Sequence, residues 1–285
     1  MNLGTAYPMT ARWDASGVRA FAREAEATGF DFVTQSGHVL STAGGLYPQK
    51  PARSYVGPYF DPFTLFSHLA GITEHLRFRT SVLILPLYPT VLVAKQVAEL
   101  SLLSDARIEL GVSISWNDRE YRAFGQDVHQ RGRRLDEQLH VLKELWTNDV
   151  VSFSGEFHEL DEVGIGRLPA EVPPVWLGGS VIEPNVARMA EFGTGWIPGG
   201  GDPTSELDAL RDQLKAAGRD PDTFCVSAKI DLTRAGPDEW AEQARAFKDA
   251  GASHTVLDPG DTETAPEAIA LIQKAIVTVR GHLKA

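Results

Sequence analysis

The sequence predicts an α/β protein, a (β/α)8 TIM barrel that takes residues 1–285 as a single domain, with a β-hairpin inserted after the fourth barrel helix. Three observations predict it. Short apolar runs of strand character alternate with segments of helical periodicity along the whole chain. The alternation amounts to about eight strand–helix units, the number a closed barrel needs. No low-complexity linker divides the chain. A doubly wound open sheet shares the same alternation and is the alternative.

Each element has its own signal. "NLGTA" is the first strand, and "ASGVRAFAREAEATGF" follows it with Val18, Phe21, Ala22 and Ala25 on one helical face. That helix stops at Gly29, which suits a left-handed position just past a helix end. "DFVTQS" is the second strand. "DPFTLFSHLAGIT" is a helix with Asp61 as its cap and Pro62 in its first position. "LRFRTSVLIL" and "RIELGVSI" are the third and fourth strands, separated by a helix carrying Val93, Val97 and Leu100. "RGRRLDEQLHVLKELW" places Leu135, Leu139, Leu142 and Trp146 in one stripe among charges. "VVSFSGEFHEL" has a Ser-Gly centre between β-formers and is the inserted hairpin. The alternation resumes with "PPVWLGG" and "TGWIPGG", then "FCVSAKIDL" and "HTVLD", each followed by a helical segment. The last helix bears Ile269, Ile272, Ile276 and Val279 on one face.

Composition limits the function. The formal net charge of −11 argues against a nucleic-acid surface. No apolar run approaches the roughly 18 residues of a membrane span, and "MNLGTAYPMT" is not a signal peptide. A cytoplasmic location is expected. The single cysteine, Cys225, lies in an apolar run and is expected as a buried thiol. Neither a zinc-type Cys/His spacing nor a Gly-x-Ser-x-Gly nucleophile motif is present.

Several residues could carry chemistry. "VWLGGS" ends a strand on Gly178, Gly179 and Ser180 just before a helix. Residues without side chains let an anion approach the backbone, and a helix N-terminus offers free N–H groups; a tight strand-to-helix turn is the structural reading of the same residues. Asn117 and Glu120 have the N-x-x-E spacing of a capping box. His158 and His254 show no evident partner. The stretch Ser41–Tyr59 has no periodicity and follows the second strand, so in a barrel it is a lid-like loop on the active-site face. Its Lys50 and Arg53 could steer an anion, although solvated loop cations are the simpler reading.

The chain resembles the luciferase-like monooxygenase superfamily, in particular its branch that uses the deazaflavin coenzyme F420. The resemblance is carried by "TSVLILPLYPTVLVAKQVAELSLLSDARIELGV", by "SWNDREYRAFG" with "RGRRLDEQLHVLKELWT" and "VSFSGEFHEL", and by "PPVWLGGS" and "GWIP". It implies a barrel that binds FMN or F420 at its C-terminal mouth, with F420 as first choice. By resemblance, Gly178, Gly179 and Ser180 cradle the cofactor phosphate. Ser81 and Val82 form a bulge with a non-proline cis peptide against the ring; Val82 as core and Ser81 as an ordinary strand residue are the alternative. His38 contacts the ring region, with a plain loop histidine as the alternative. Trp116, an aromatic at a barrel mouth, could wall a ring or substrate pocket or simply pack under the loop. The chain also departs from the family pattern. Gly37 stands where an acid often precedes the histidine, which removes an orienting partner for His38. Ser113 stands where a glycine is common, and "LLSDAR" and "LPLYP" are altered. Trp116 takes the place of a glutamate acid found in some deazaflavin sugar dehydrogenases, which argues against that reaction.

The expected function is therefore hydride transfer between F420 and a small organic substrate. One alternative is an FMN-dependent two-component monooxygenase served by a separate reductase. The other is a cofactor-free barrel acting as a binding or structural subunit. The resemblance is also compatible with a homodimer.

Overall fold

The computed structural model describes residues 1–8, 13–41 and 59–284. Its centre is a closed parallel barrel of eight strands. They are β1 (Asn2–Ala6), β2 (Phe32–Gly37), β3 (Arg77–Ile84), β4 (Ile108–Ser113), β7 (Val175–Gly178), β8 (Gly195–Ile197), β9 (Cys225–Asp231) and β10 (His254–Asp258), and β1 pairs with both β2 and β10 to close the ring. The strands are buried on both faces, which is why they read as apolar runs rather than alternating ones. Between β4 and β7, β5 (Val151–Ser154) and β6 (Glu159–Val163) pair antiparallel as the inserted hairpin.

The helices pack outside. They are α1 (Ala15–Ala27), α2 (Pro62–Ala70), α3 (Thr90–Leu103), the short α4 (Asp118–Ala123), α5 (Arg131–Thr147), α6 (Glu183–Phe192), α7 (Leu207–Ala216), α8 (Pro237–Ala250) and α9 (Ala265–Lys284). α9 lies between α1 and α8, α3 lies between α2 and α5, and α6 packs on α7. The starts and stops follow the sequence signals. The Asp14 side chain accepts from Gly17 N–H and the Asp61 side chain from Thr64 N–H, with Pro62 opening α2. Gly29, just past α1, has φ +87°. The stripes predicted on α3 and α5 are buried, as are Ile272, Ile276 and Val279 on α9. No helix among the described residues is long and apolar enough to cross a membrane.

Two histidines left without partners by the sequence have them in the fold. Glu137 of α5 accepts from the N–H groups of Glu156 and Phe157 and from His158 Nδ1 at 2.7 Å. His158 Nε2 also lies 2.5 Å from Thr90 Oγ1, so this one histidine fastens the hairpin to α5 and α3. His254 Nε2 is 2.9 Å from Asn2 Nδ2, and its Nδ1 is 2.9 Å from Ser253 Oγ. Its imidazole is pushed down to about 3 by burial first, then by the positive charges of Arg79, the N-terminus and Arg77. Arg79 itself is buried between the Phe32 and Trp176 rings, 4.2 and 4.3 Å from their centres, and donates to Ser227 Oγ. Its nearest carboxylate oxygen, Glu109 Oε2, is 3.9 Å away. These residues sit at the N-terminal halves of their strands, so the lower interior is polar. Cys225 is half-buried rather than buried.

Candidate active site

The C-terminal mouth is shaped by a bulge in β3. Between β2 and β3 the register runs from Gln35↔Thr80 to Gly37↔Leu83, two steps on one strand against three on the other. Between β3 and β4 it runs from Arg79↔Glu109 to Leu83↔Val112, four steps against three. β3 therefore carries one extra residue relative to both neighbours. The Ser81–Val82 peptide bond lies within it and is cis. The ladder is repaired by a side chain: Thr80 Oγ1 accepts from Gly111 N–H at 2.8 Å and donates to Gly111 O at 2.6 Å.

Glycines surround the bulge because nothing larger fits. A Cβ on Gly111 would sit on the Thr80 carbonyl oxygen. One on Gly37 would lie 2.7 Å from Leu83 Cα and 3.0 Å from Val82 O. One on Gly178 would lie 2.8 Å from Val82 Cγ1 and 3.3 Å from Ser113 Cβ. Gly37 is thus required by the backbone of β3. The added bulk of Ser113 is accommodated by Gly178, across the β4–β7 pair. Gly178 is itself buried, so its missing side chain makes room for Val82 and Ser113, while the approach from solvent lies at Gly179 and Ser180.

The β7 turn is held from several sides. Gly179 has φ +119°, a conformation that disfavours any Cβ. Its N–H donates to Ile197 O, and its carbonyl accepts from Trp196 Nε1. Asn185 Nδ2 reaches Ser180 O at 3.1 Å and Gly178 O at 3.4 Å. Among the described residues, neither Ser180 N–H nor its hydroxyl makes a hydrogen bond, and Ser180 is exposed. α6 starts without a side-chain cap, and Glu206 Oε1 accepts from the preceding Val181 N–H at 3.0 Å.

Just past the ends of β2 and β4 stand His38 and Trp116, with ring centres 6.4 Å apart, and Tyr59 lies 6.1 Å from His38. Trp116 is 38% exposed, and Val39 and Leu40 are exposed beside it, so this edge of the mouth is apolar. The loss of an acid at position 37 does not leave His38 without a carboxylate. Glu120 of α4, wholly buried, lies 2.8 Å from His38 Nδ1. Glu120 also accepts from Val39 N–H, Leu40 N–H and Asn117 Nδ2. The capping-box expectation is corrected accordingly. Asn117 caps α4 through Arg119 N–H, but Glu120 reaches the segment His38–Leu40 just past β2. Burial pushes the Glu120 carboxyl up; the hydrogen bond and charge of His38 and the two backbone N–H groups outweigh it and hold the carboxyl below its ordinary range. The N-x-x-E signal was visible in the sequence, but its partner lay 82 residues away. Lys50, Arg53 and the rest of 42–58 lie outside the described residues.

Comparison with known proteins places this geometry in context. A family model described as luciferase-like monooxygenase matches residues 3–278. An uncharacterized protein of Mycobacterium tuberculosis is 34% identical over 200 residues, covering 68% of each chain. The pyrimidine monooxygenase RutA of Allorhizobium ampelinum is 28% identical over 276 residues, 87% of this chain and 71% of that one. The F420-dependent hydroxymycolic acid dehydrogenase of Mycobacterium tuberculosis is 29% identical over 233 residues, 79% of this chain and 61% of that one. Among solved structures, the monooxygenase RslO1 from Streptomyces bottropensis superposes with a TM-score of 0.81 at 17% identity, covering 99% of this chain and 100% of that one. An F420-dependent secondary alcohol dehydrogenase, solved with an F420–acetone adduct, superposes with 0.79 at 16% identity, covering 98% and 99%.

Proposed function

The chain belongs to the luciferase-like monooxygenase family, and we propose that within it the protein is an F420-dependent oxidoreductase acting on a small organic molecule. The observation that carries this reading is the β3 bulge. It opens on the mouth between the His38–Trp116 edge and the Gly179–Ser180 turn, and glycines at 37, 111 and 178 clear its flanks. A flat tricyclic ring would rest on Ser81 and Val82. Its phosphate would lie over Gly179, taking the N–H and hydroxyl of Ser180, with the start of α6 behind it. Gly178 supports that turn by letting Val82 come up beneath it. Trp116 would wall the ring on the side of β4, and His38 would offer an imidazole nitrogen to the reacting substrate.

When bound, F420 supplies a carbon that accepts or gives a hydride; the chain positions it and excludes water. The likeness to an F420-dependent dehydrogenase over 79% of the chain supports this choice. A second reading, an FMN-dependent monooxygenase with a partner reductase, is favoured by the likeness to a pyrimidine monooxygenase over 87% of the chain. Titration of the purified protein with F420 and with FMN tests both. Saturable F420 binding, tighter than FMN, is expected. Tighter FMN binding selects the second reading, and binding of neither at micromolar concentrations overturns both.

A further inference from the structure

The Glu120 carboxylate receives hydrogen bonds from two backbone N–H groups and one amide NH2: Val39 at 2.9 Å, Leu40 at 3.3 Å and Asn117 Nδ2 at 2.9 Å. All three are donors only, so both oxygens present lone pairs. Held below its ordinary range, Glu120 is a carboxylate with no proton to give, so the fourth contact, His38 Nδ1 at 2.8 Å from Oε2, is a donor as well. We propose that Glu120 is the positioning residue for His38: it holds the proton on Nδ1, so that in the neutral ring Nε2 is the basic nitrogen. This deepens the functional reading above and rests on it for the identity of what Nε2 meets.

The arrangement answers a problem set by the fold. In this backbone a Cβ at 37 would lie 2.7 Å from Leu83 Cα, so glycine, not an acid, precedes His38 in the chain. An acid from α4 reaches across instead. Because the same carboxylate holds the N–H groups of Val39 and Leu40, it fixes the backbone leaving β2 as well as the imidazole ring. A histidine with its tautomer set by a buried carboxylate takes a proton at one defined nitrogen and returns it from there. When an alcohol or a primary or secondary amine gives up a hydride from carbon to form a carbonyl or neutral imine, the proton on the attached oxygen or nitrogen leaves as well. Nε2 would receive that proton, Nδ1 would keep its own, and the imidazolium charge would face the Glu120 carboxylate.

Glu120→Gln is the informative variant. An amide keeps one acceptor oxygen and replaces the other with a donor. If its NH2 faced Val39 and Leu40, two fixed backbone donors would be opposed. If it faces His38 and Asn117, His38 can accept at Nδ1 by moving its proton to Nε2, and Asn117 can present oxygen by turning its amide at the expense of its single cap bond to Arg119 N–H. The second arrangement is the less costly one. The test is long-range 1H–15N correlation on histidine-15N protein at about pH 9, where free imidazole is neutral, with His38→Asn supplying the assignment. The expected result is an Nδ1–H ring in the wild type and an Nε2–H ring in Glu120→Gln. An Nε2–H ring in the wild type overturns the proposal, and so does an unchanged tautomer in a folded Glu120→Gln protein. If that variant does not fold, the wild-type spectrum alone decides. Failure of F420 titration alongside an Nδ1–H ring would sink the cofactor reading and leave the pair intact; normal F420 binding with the wrong tautomer would do the reverse.

Discussion

Gly178→Ala separates two roles for the turn that ends β7. The added Cβ would lie 2.8 Å from Val82 Cγ1 and 3.3 Å from Ser113 Cβ. Carbon atoms rest at about 3.5–4.0 Å, so the first contact is roughly 1 Å too close. Gly178 is buried, and the strand around it is paired on both sides, so little can give. Overpacking of this kind costs about 1–3 kcal/mol. Val82→Ala removes the offending methyl group. Alone it should cost about 1 kcal/mol, because Val82 is only half-buried. Combined with Gly178→Ala it should cost less than the sum, with a coupling of about 1–2 kcal/mol. Urea unfolding of the wild type, the two single variants and the double variant, followed by circular dichroism, gives the cycle. Additivity within about 0.5 kcal/mol would refute the argument that Gly178 exists for Val82. So would a Gly178→Ala protein as stable as the wild type that loses only cofactor affinity, because the glycine would then be serving the ligand directly.

Further tests follow from the buried charges and from the turn. His254 is held neutral in the fold, with its imidazole pushed down to about 3, while the unfolded chain takes a proton near pH 6.5. Between those values the unfolded state binds more protons. Stability is therefore complete above about pH 6.5 and falls as the pH drops toward 3, by up to about 1.4 kcal/mol per pH unit; urea midpoints at several pH values should show the slope, and His254→Gln should flatten it. Arg79→Ala leaves a gap between the Phe32 and Trp176 rings and should cost about 3 kcal/mol or more, whereas Arg79→Met fills it and should cost less than about 1.5 kcal/mol, since Glu109 keeps Arg77 at 2.8 Å. Equal losses in thermal or urea unfolding would show that the charge, not the packing, matters there. Glu206→Gln keeps the acceptor for Val181 N–H but removes a negative charge beside the start of α6, and should tighten F420 binding roughly two- to fivefold by equilibrium titration; weaker binding would place the phosphate elsewhere.

The barrel was legible in the sequence because parallel strands buried on both faces and amphipathic helices leave different periodicities. The caps at Asp61 and Gly29 and the Ser-Gly hairpin are local signals, and the structure places them where the residues predict. The site was legible only in part. His38, Ser81, Val82 and the Gly178–Ser180 turn could be named by resemblance, and Trp116 as an aromatic after the fourth strand; the structure brings them to one end of the barrel. The partner of His38 could not be named, because Glu120 lies 82 residues further along the chain and its spacing from Asn117 mimics a local capping box. His158 and His254 were missed for the same reason: Glu137, Thr90 and Asn2 reach them through tertiary packing. Gly37 looked like a lost acid in the sequence; only the register shift in β3 shows that a side chain there would meet the neighbouring backbone.

The central claim is that the β3 bulge and the Gly179–Ser180 turn are two ends of one cofactor site. A crystal structure of the protein grown with F420 tests it most directly. The deazaflavin ring is expected against Ser81 and Val82, with the phosphate on the Ser180 N–H and hydroxyl. A ring bound away from the bulge, or a phosphate held elsewhere than the end of β7, would contradict it.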